Sequence, residues 1–123
     1  MLTGVRISSA SYEDLPDVAR IHVAAWKQAY VGQVPQAYLD RLNVAQRLQR
    51  WHEQFADRVV SGLLVATVKK KAGGFICFGH ARDEDRQDWG EIYAIYVLES
   101  YWGGGLGYQL YKHACAELQQ SGL

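Results

Sequence analysis

The stretch that most limits what this chain can fold into is residues 91–107. There the run EIYAIYVL passes through the connector ESYW into GGGLG. The run is apolar in both of its alternating sets, as a strand buried in the middle of a sheet should be. Four glycines within positions 103–107 then strip the side chains from a turn that opens a helix. Glycine accepts positive φ and lets another group approach the backbone closely. The first amides of a helix have no internal acceptor, and with the helix dipole they favour an anion such as a phosphate. Strand, glycine loop and helix in this order make either an anion-binding unit or a plain turn with a helix cap.

Two common phosphate motifs fail on spacing. A dinucleotide fingerprint needs G-x-G-x-x-G, and the last glycine here comes one residue too early. A P-loop ends in G-K-[ST], whereas Gly107 is followed by Tyr108 and Gln109. A nucleotide-binding module of either standard kind is therefore disfavoured.

The rest of the chain supplies one domain's worth of structure. Its 123 residues, 49% hydrophobic and 21% charged, suit a single globular domain, residues 1–123, with its own core. Thirteen basic residues balance thirteen acidic ones, which argues against a nucleic-acid or anionic-membrane partner. No apolar run approaches the ~20 residues of a membrane span, and the N-terminus lacks a signal-peptide pattern. The chain thus reads as soluble and cytoplasmic. Cys77 and Cys115 have no CxxC or histidine companion, so no metal site is expected, and both read as small buried hydrophobes.

Residues 5–7 open the chain as a strand. Asp14 before Leu15 and Pro16 reads as a helix start, and Leu15, Val18, Ala19, Ile21, His22, Ala25 and Trp26 recur at helical spacing as far as Tyr30 to Gly32. Pro35 reopens a helical pattern with Tyr38, Leu39 and Leu42 on one face. Asn43 caps another, with the stripe Val44, Leu48, Trp51, His52 and Phe55. Arg47, Arg50 and Arg58 fall mostly off that stripe and read as a solvated face. Residues 63–68 and 75–81 read as an antiparallel hairpin around a polar turn, residues 69–74, and residues 82–88 as a second polar turn. Strand 91–98 and a final helix with the stripe Leu106, Leu110, Ala114 and Leu118 complete an α+β chain with a largely antiparallel sheet.

The strand EIYAIYVL, the connector ESYW, GGGLG and the helix after it resemble the acetyl-CoA site of the GNAT superfamily of N-acetyltransferases. The family's loop reads Q/R-x-x-G-x-G/A. Gly105 and Gly107 fill its two small positions with Leu106 between them, and Trp102 stands where Gln or Arg is usual. The opening VRISSASYEDLPDVARIHVAAWKQAYVGQVPQAYLDRL resembles the family's first strand and paired helices. The resemblance implies a mostly antiparallel mixed sheet flanked by helices, with acetyl-CoA as co-substrate and a small-molecule or peptide amine as acceptor. It implies that the main chain of Ile95, Tyr96 and Val97 meets the pantetheine arm. The diphosphate falls to the loop from Gly103 through Gly104, Gly105, Leu106 and Gly107 to Tyr108. Trp26, Tyr30 and Tyr38 lie where the family builds its acceptor wall.

Acetyl transfer to an amine needs a group that removes the amine's proton. Glu91 opens the strand and can serve, its offset from Trp102 matching a glutamate of some members; it can also be a solvated acid at a strand end. Tyr93 shares its side by the two-residue period and lines the acceptor pocket or the core. His80 ends a strand, where a lone histidine is more often structural. The family often draws its general acid from a helix beyond the glycine-loop helix, so none is assigned here. Members usually continue with further strands, which implies that this chain lacks them. It would then either transfer acetyl groups or bind CoA or a partner without catalysis. Its strand 91–98 would be left with an open edge, to be covered by a homodimer or by strand complementation.

Overall fold

The computed structural model describes residues 3–56, 62–81 and 89–122. Four strands, β1 (Val5–Ser9), β2 (Gly62–Val68), β3 (Lys71–His80) and β4 (Gly90–Val97), pair antiparallel in the order β1-β2-β3-β4. The helices are α1 (Leu15–Tyr30), α2 (Gln36–Asp40), α3 (Val44–Ala56) and α4 (Leu106–Gln120). Among the described residues no helix is long and apolar enough to cross a membrane.

Both faces of the sheet are covered, and the strand sequences show why. In β2, Leu63 and Val65 join Leu15, Val18, Ile21 and Trp51 in a core under α1 and α3. The alternate residues Leu64, Ala66 and Val68 pack with Leu106, Leu110, Ala114 and Leu118 of α4. A continuous apolar run is what a strand covered on both sides requires. Each large side chain so buried contributes roughly 1.5–3 kcal/mol. The stripe expected for α4 is buried in full. In α3 the expected stripe is thinner, with Trp51 buried, Leu48 and Phe55 half-buried and Val44 exposed. In α2 only Leu39 is buried, and Tyr38 is exposed.

The helix starts follow local hydrogen bonding. Asn43 caps α3 as expected, its Oδ1 accepting the Gln46 amide at 3.2 Å. Asp14 holds the N-cap position of α1 as expected, but its side chain makes no cap bond to that helix. Residues Tyr12–Asp14 form a 3-10 turn running into the helix, and the Asp14 carboxylate reaches back to accept the Ser11 amide at 2.8 Å. The entry to α1 therefore begins a turn earlier than its proline suggests.

Two strand expectations are corrected. Residues 69–74 do not all form a turn: Lys69 and Lys70, at φ 51° and 72°, make a two-residue hairpin and β3 begins at Lys71. Gly73 lies inside β3 where a Cβ would stand 2.6 Å from the Tyr101 ring, so its glycine serves close packing rather than a bend. β4, expected in the middle of the sheet, is at its edge among the described residues. Its two apolar faces come from helices instead, α1 packing on one and α4 on the other. Arg58, the 82–88 turn and the His80 side chain lie outside the described residues.

Candidate functional site

β4 delivers the chain into the glycine loop through a single 3-10 turn, Glu99–Tyr101. That turn is anchored from α1, where Gln28 Oε1 accepts the Glu99 amide at 2.8 Å. Gly103 and Gly105 then take φ of 81° and 85° with open space around the position of a Cβ. Both conformations are costly for residues with side chains, which accounts for glycine at these two positions. Gly105 caps α4, and the first bond inside the helix runs from the Gln109 amide to the Gly105 carbonyl at 3.1 Å. The amides of Leu106, Gly107 and Tyr108 are thus those a helix start leaves without an internal acceptor. The Gly104 amide is turned back onto the Tyr101 carbonyl at 3.3 Å. Val97, Tyr101, Trp102 and the loop line a hollow of about 290 Å³.

The free edge of β4 carries the second set of backbone groups. The Leu98 amide bonds to the Gly73 carbonyl at 2.9 Å, and antiparallel ladders alternate from such a pair. With Phe75 opposite Tyr96 and Ile76 opposite Ile95, the Tyr96 main chain faces β3 while that of Ile95 and Val97 faces outward. The expectation for Tyr96 is corrected accordingly: its peptide groups belong to the ladder, and its side chain is what it offers. The outward Val97 carbonyl is already taken, since Trp102 Nε1 donates to it at 2.8 Å. An indole has one donor, so Trp102 has none left for a diphosphate. Where the family pattern has a long polar residue, this chain has a staple between loop and strand.

An aromatic wall rises from the other face of β4. Tyr96 stacks on His22 of α1 with ring centroids 4.7 Å apart, and Phe75 lies beneath both. Trp26 neighbours the Tyr96 hydroxyl, and its ring stands 4.3 Å from Tyr30 and 5.6 Å from Tyr38. Burial raises the Tyr96 pKa, with Tyr30 and Cys77 adding to the rise, so its hydroxyl is a neutral donor at physiological pH. His22 is lowered from 6.5 to about 4, chiefly by burial and secondarily by the positive charge of Arg47. It is a neutral imidazole whose Nδ1 accepts the Trp51 indole N–H at 3.3 Å, leaving the proton on Nε2.

The site residues expected on β4 lie near this wall. A bulge places Cys77 opposite Ala94 and Phe78 opposite Ile92, leaving Tyr93 as the extra residue of β4. Tyr93 is half-buried against the core under α1, on the same side as Tyr96. Glu91 is half-buried opposite Gly79, one turn of the pleat further from the glycine loop. Trp26, Tyr30, Tyr93 and Tyr96 are thus brought to the α1 side of β4, whereas Ile95, Val97 and the glycines face α4.

Two participants were not singled out from the sequence. His22 is only one member of an apolar helical stripe there; its spacing of four from Trp26 was the available signal. Arg47 lies off the α3 stripe, yet its charge reaches both His22 and Tyr96.

The same architecture recurs in known proteins. The uncharacterized N-acetyltransferase YuaI of Bacillus subtilis (strain 168) is 34% identical over 119 residues, 96% of this chain and 66% of that protein. The PaiA N-acetyltransferase of Thermoplasma acidophilum, solved in complex with coenzyme A, superposes with a TM-score of 0.73 at 19% identity, covering 96% of this chain and 74% of that one. A GNAT family acetyltransferase of Brucella melitensis, in complex with acetyl-CoA, gives 0.73 at 19% identity, covering 96% and 70%. These structural likenesses fix the fold as that of acyl-CoA N-acyltransferases. The chain spans 66% of the length of its curated relative. Residues 17–123 match the acetyltransferase (GNAT) family, and the chain belongs to it.

Proposed function

We propose that this chain transfers an acetyl group from acetyl-CoA to an amine. The observation that carries the reading is the continuity of one backbone surface. The outward edge of β4 at Ile95 and Val97 leads, past the Trp102 staple, into the positive-φ glycines and the first amides of α4. An extended amide-containing arm adds to the edge as a strand would, and a diphosphate meets the helix start. The relatives solved with coenzyme A and acetyl-CoA support the same assignment.

The reaction joins the acceptor nitrogen to the acetyl carbonyl carbon and breaks that carbon's bond to sulfur. The amine proton leaves to Glu91, directly or through water, and the thiolate departs with CoA. Trp26, Tyr30 and Tyr93 face the acceptor. In the absence of cofactor the same β4 edge pairs with a strand of a second copy.

Titration calorimetry with acetyl-CoA tests the cofactor surface. A Cβ at Gly107 would meet only Val97 and Ile95 at ordinary distances of 3.7 and 3.9 Å, so Gly107→Val is compatible with the fold. Its side chain narrows the approach to the β4 edge, and acetyl-CoA affinity should fall at least about tenfold. Gly105→Val, strained by its φ of 85°, should lose binding as well. Equal affinity in the wild type and Gly107→Val removes this surface as the cofactor site.

A further inference from the structure

A basic groove opens at the far end of the aromatic wall. It encloses about 300 Å³ between α1, α2 and α3, and Arg41, Arg47 and Arg50 line it together with Val23, Tyr38 and Gln46. Among the described residues, none of the three arginines is paired with a carboxylate within 4.0 Å; the ion pair there is Arg20 with Asp17. The nearest acid in sequence, Asp40, is engaged by the Gln36 amide at 2.9 Å. Three guanidinium groups around one concavity repel one another, and an oxyanion relieves that repulsion while matching their forked donors.

The groove is joined to the transfer site in two ways. Tyr38 lines it and faces Trp26, which neighbours the Tyr96 hydroxyl on β4. The charge of Arg47 also reaches the other end, where it lowers the proton affinity of His22 and of Tyr96. A molecule lying along the aromatic wall with its amine at β4 would therefore set its other end among the arginines.

We propose that the groove binds an anionic group of the acceptor, so that the preferred substrate is an acidic peptide or a similarly extended amine bearing a carboxylate. This deepens the acetyltransferase reading and rests on it. The arginines hold the acidic end and set specificity, while β4 and Glu91 serve the amine. Two rings separate the groove from β4, and a peptide rising about 3.3 Å per residue crosses that span within a few residues.

The test uses the whole chain saturated with coenzyme A, which fills the cofactor surface without an acetyl group to transfer, and two C-terminally amidated tripeptides, Ala-Glu-Glu and Ala-Gln-Gln. They share an N-terminal amine and differ in two carboxylates. By titration calorimetry the glutamate peptide should bind about tenfold tighter or better, because hydrogen bonds to charged groups are the stronger class. That advantage should shrink in Arg50→Gln, an exposed site that leaves the core untouched, and fall within about twofold in Arg47→Gln/Arg50→Gln. Equal binding of the two peptides, binding of neither, or an advantage that survives the double variant overturns the proposal. Inorganic phosphate is the third arm: if it occupies the arginines while the peptides are not distinguished, the groove is a free-anion site and the acceptor assignment is wrong. Acetyl-CoA affinity, read first in each protein, separates the two levels. Its absence sinks the acetyltransferase reading, whereas its presence without a peptide preference sinks only the acidic acceptor.

Discussion

Glu91 and His22 are the two titratable side chains whose roles differ most sharply. Glu91 opens an edge strand and keeps partial access to solvent, as a proton acceptor for an incoming amine must. Replacing it with glutamine removes the carboxylate that the proposed reaction uses as its base and keeps the shape. Turnover in Glu91→Gln should fall by about 10²–10⁴-fold with acetyl-CoA affinity nearly unchanged. Unaltered turnover across the pH range would make Glu91 a solvated strand-end acid. His22 does the opposite. It is held neutral by burial and by Arg47, with a pKa of about 4 against 6.5 for an ordinary histidine. Between those values the unfolded chain binds a proton that the folded chain refuses, so this group's contribution to stability is present above pH 6.5 and is lost as pH falls toward 4. His22→Gln preserves an acceptor for the Trp51 indole and removes the titration. The stability gap between wild type and variant, read from urea midpoints, should therefore narrow as pH falls across that interval. A gap that stays constant would mean that His22 titrates as an exposed histidine does.

At the scale of elements, what the sequence reveals depends on whether the information is local. The α4 stripe is one residue in four with a glycine cap at its start, and periodicity finds it. The glycine loop is equally legible, because Gly103 and Gly105 need a backbone conformation that few other residues accept. β4 misleads for a physical reason. An apolar pattern on both faces reports what covers the faces and says nothing of what lies beside the edges; α1 and α4 cover this strand in the way strand neighbours in a central position do not. Gly73 misleads similarly, since its lack of a side chain answers the Tyr101 ring, 28 residues later, and no local rule reports that. The indole of Trp102 on the Val97 carbonyl and the His22–Tyr96 stack are tertiary facts of the same kind. The proposed acceptor end of the site was therefore less legible than the proposed cofactor end. It is assembled from α1, α2, α3 and β4, whereas the cofactor surface is one contiguous piece of chain.

For the whole molecule, the expected consequence of that open edge is association. The outer side of β4 has no strand partner among the described residues, and Ile95 on it is 40% exposed. Unpaired N–H and C=O groups beside apolar side chains form a template for another strand. On the proposed function, the outward groups of Ile95 and the Val97 amide also receive the arm of acetyl-CoA, the Val97 carbonyl being held by Trp102, and one set of donors and acceptors serves only one partner at a time. The chain should therefore form dimers or larger species at micromolar concentration, and saturating acetyl-CoA should shift it toward monomer. Ile95→Lys should weaken association without cofactor, because a charge on an edge strand opposes pairing. Light scattering with and without acetyl-CoA measures all three states. A stable monomer that binds no hydrophobic dye would mean the edge is closed within the chain itself. Association that ignores both acetyl-CoA and Ile95→Lys would mean that the copies meet through some other surface.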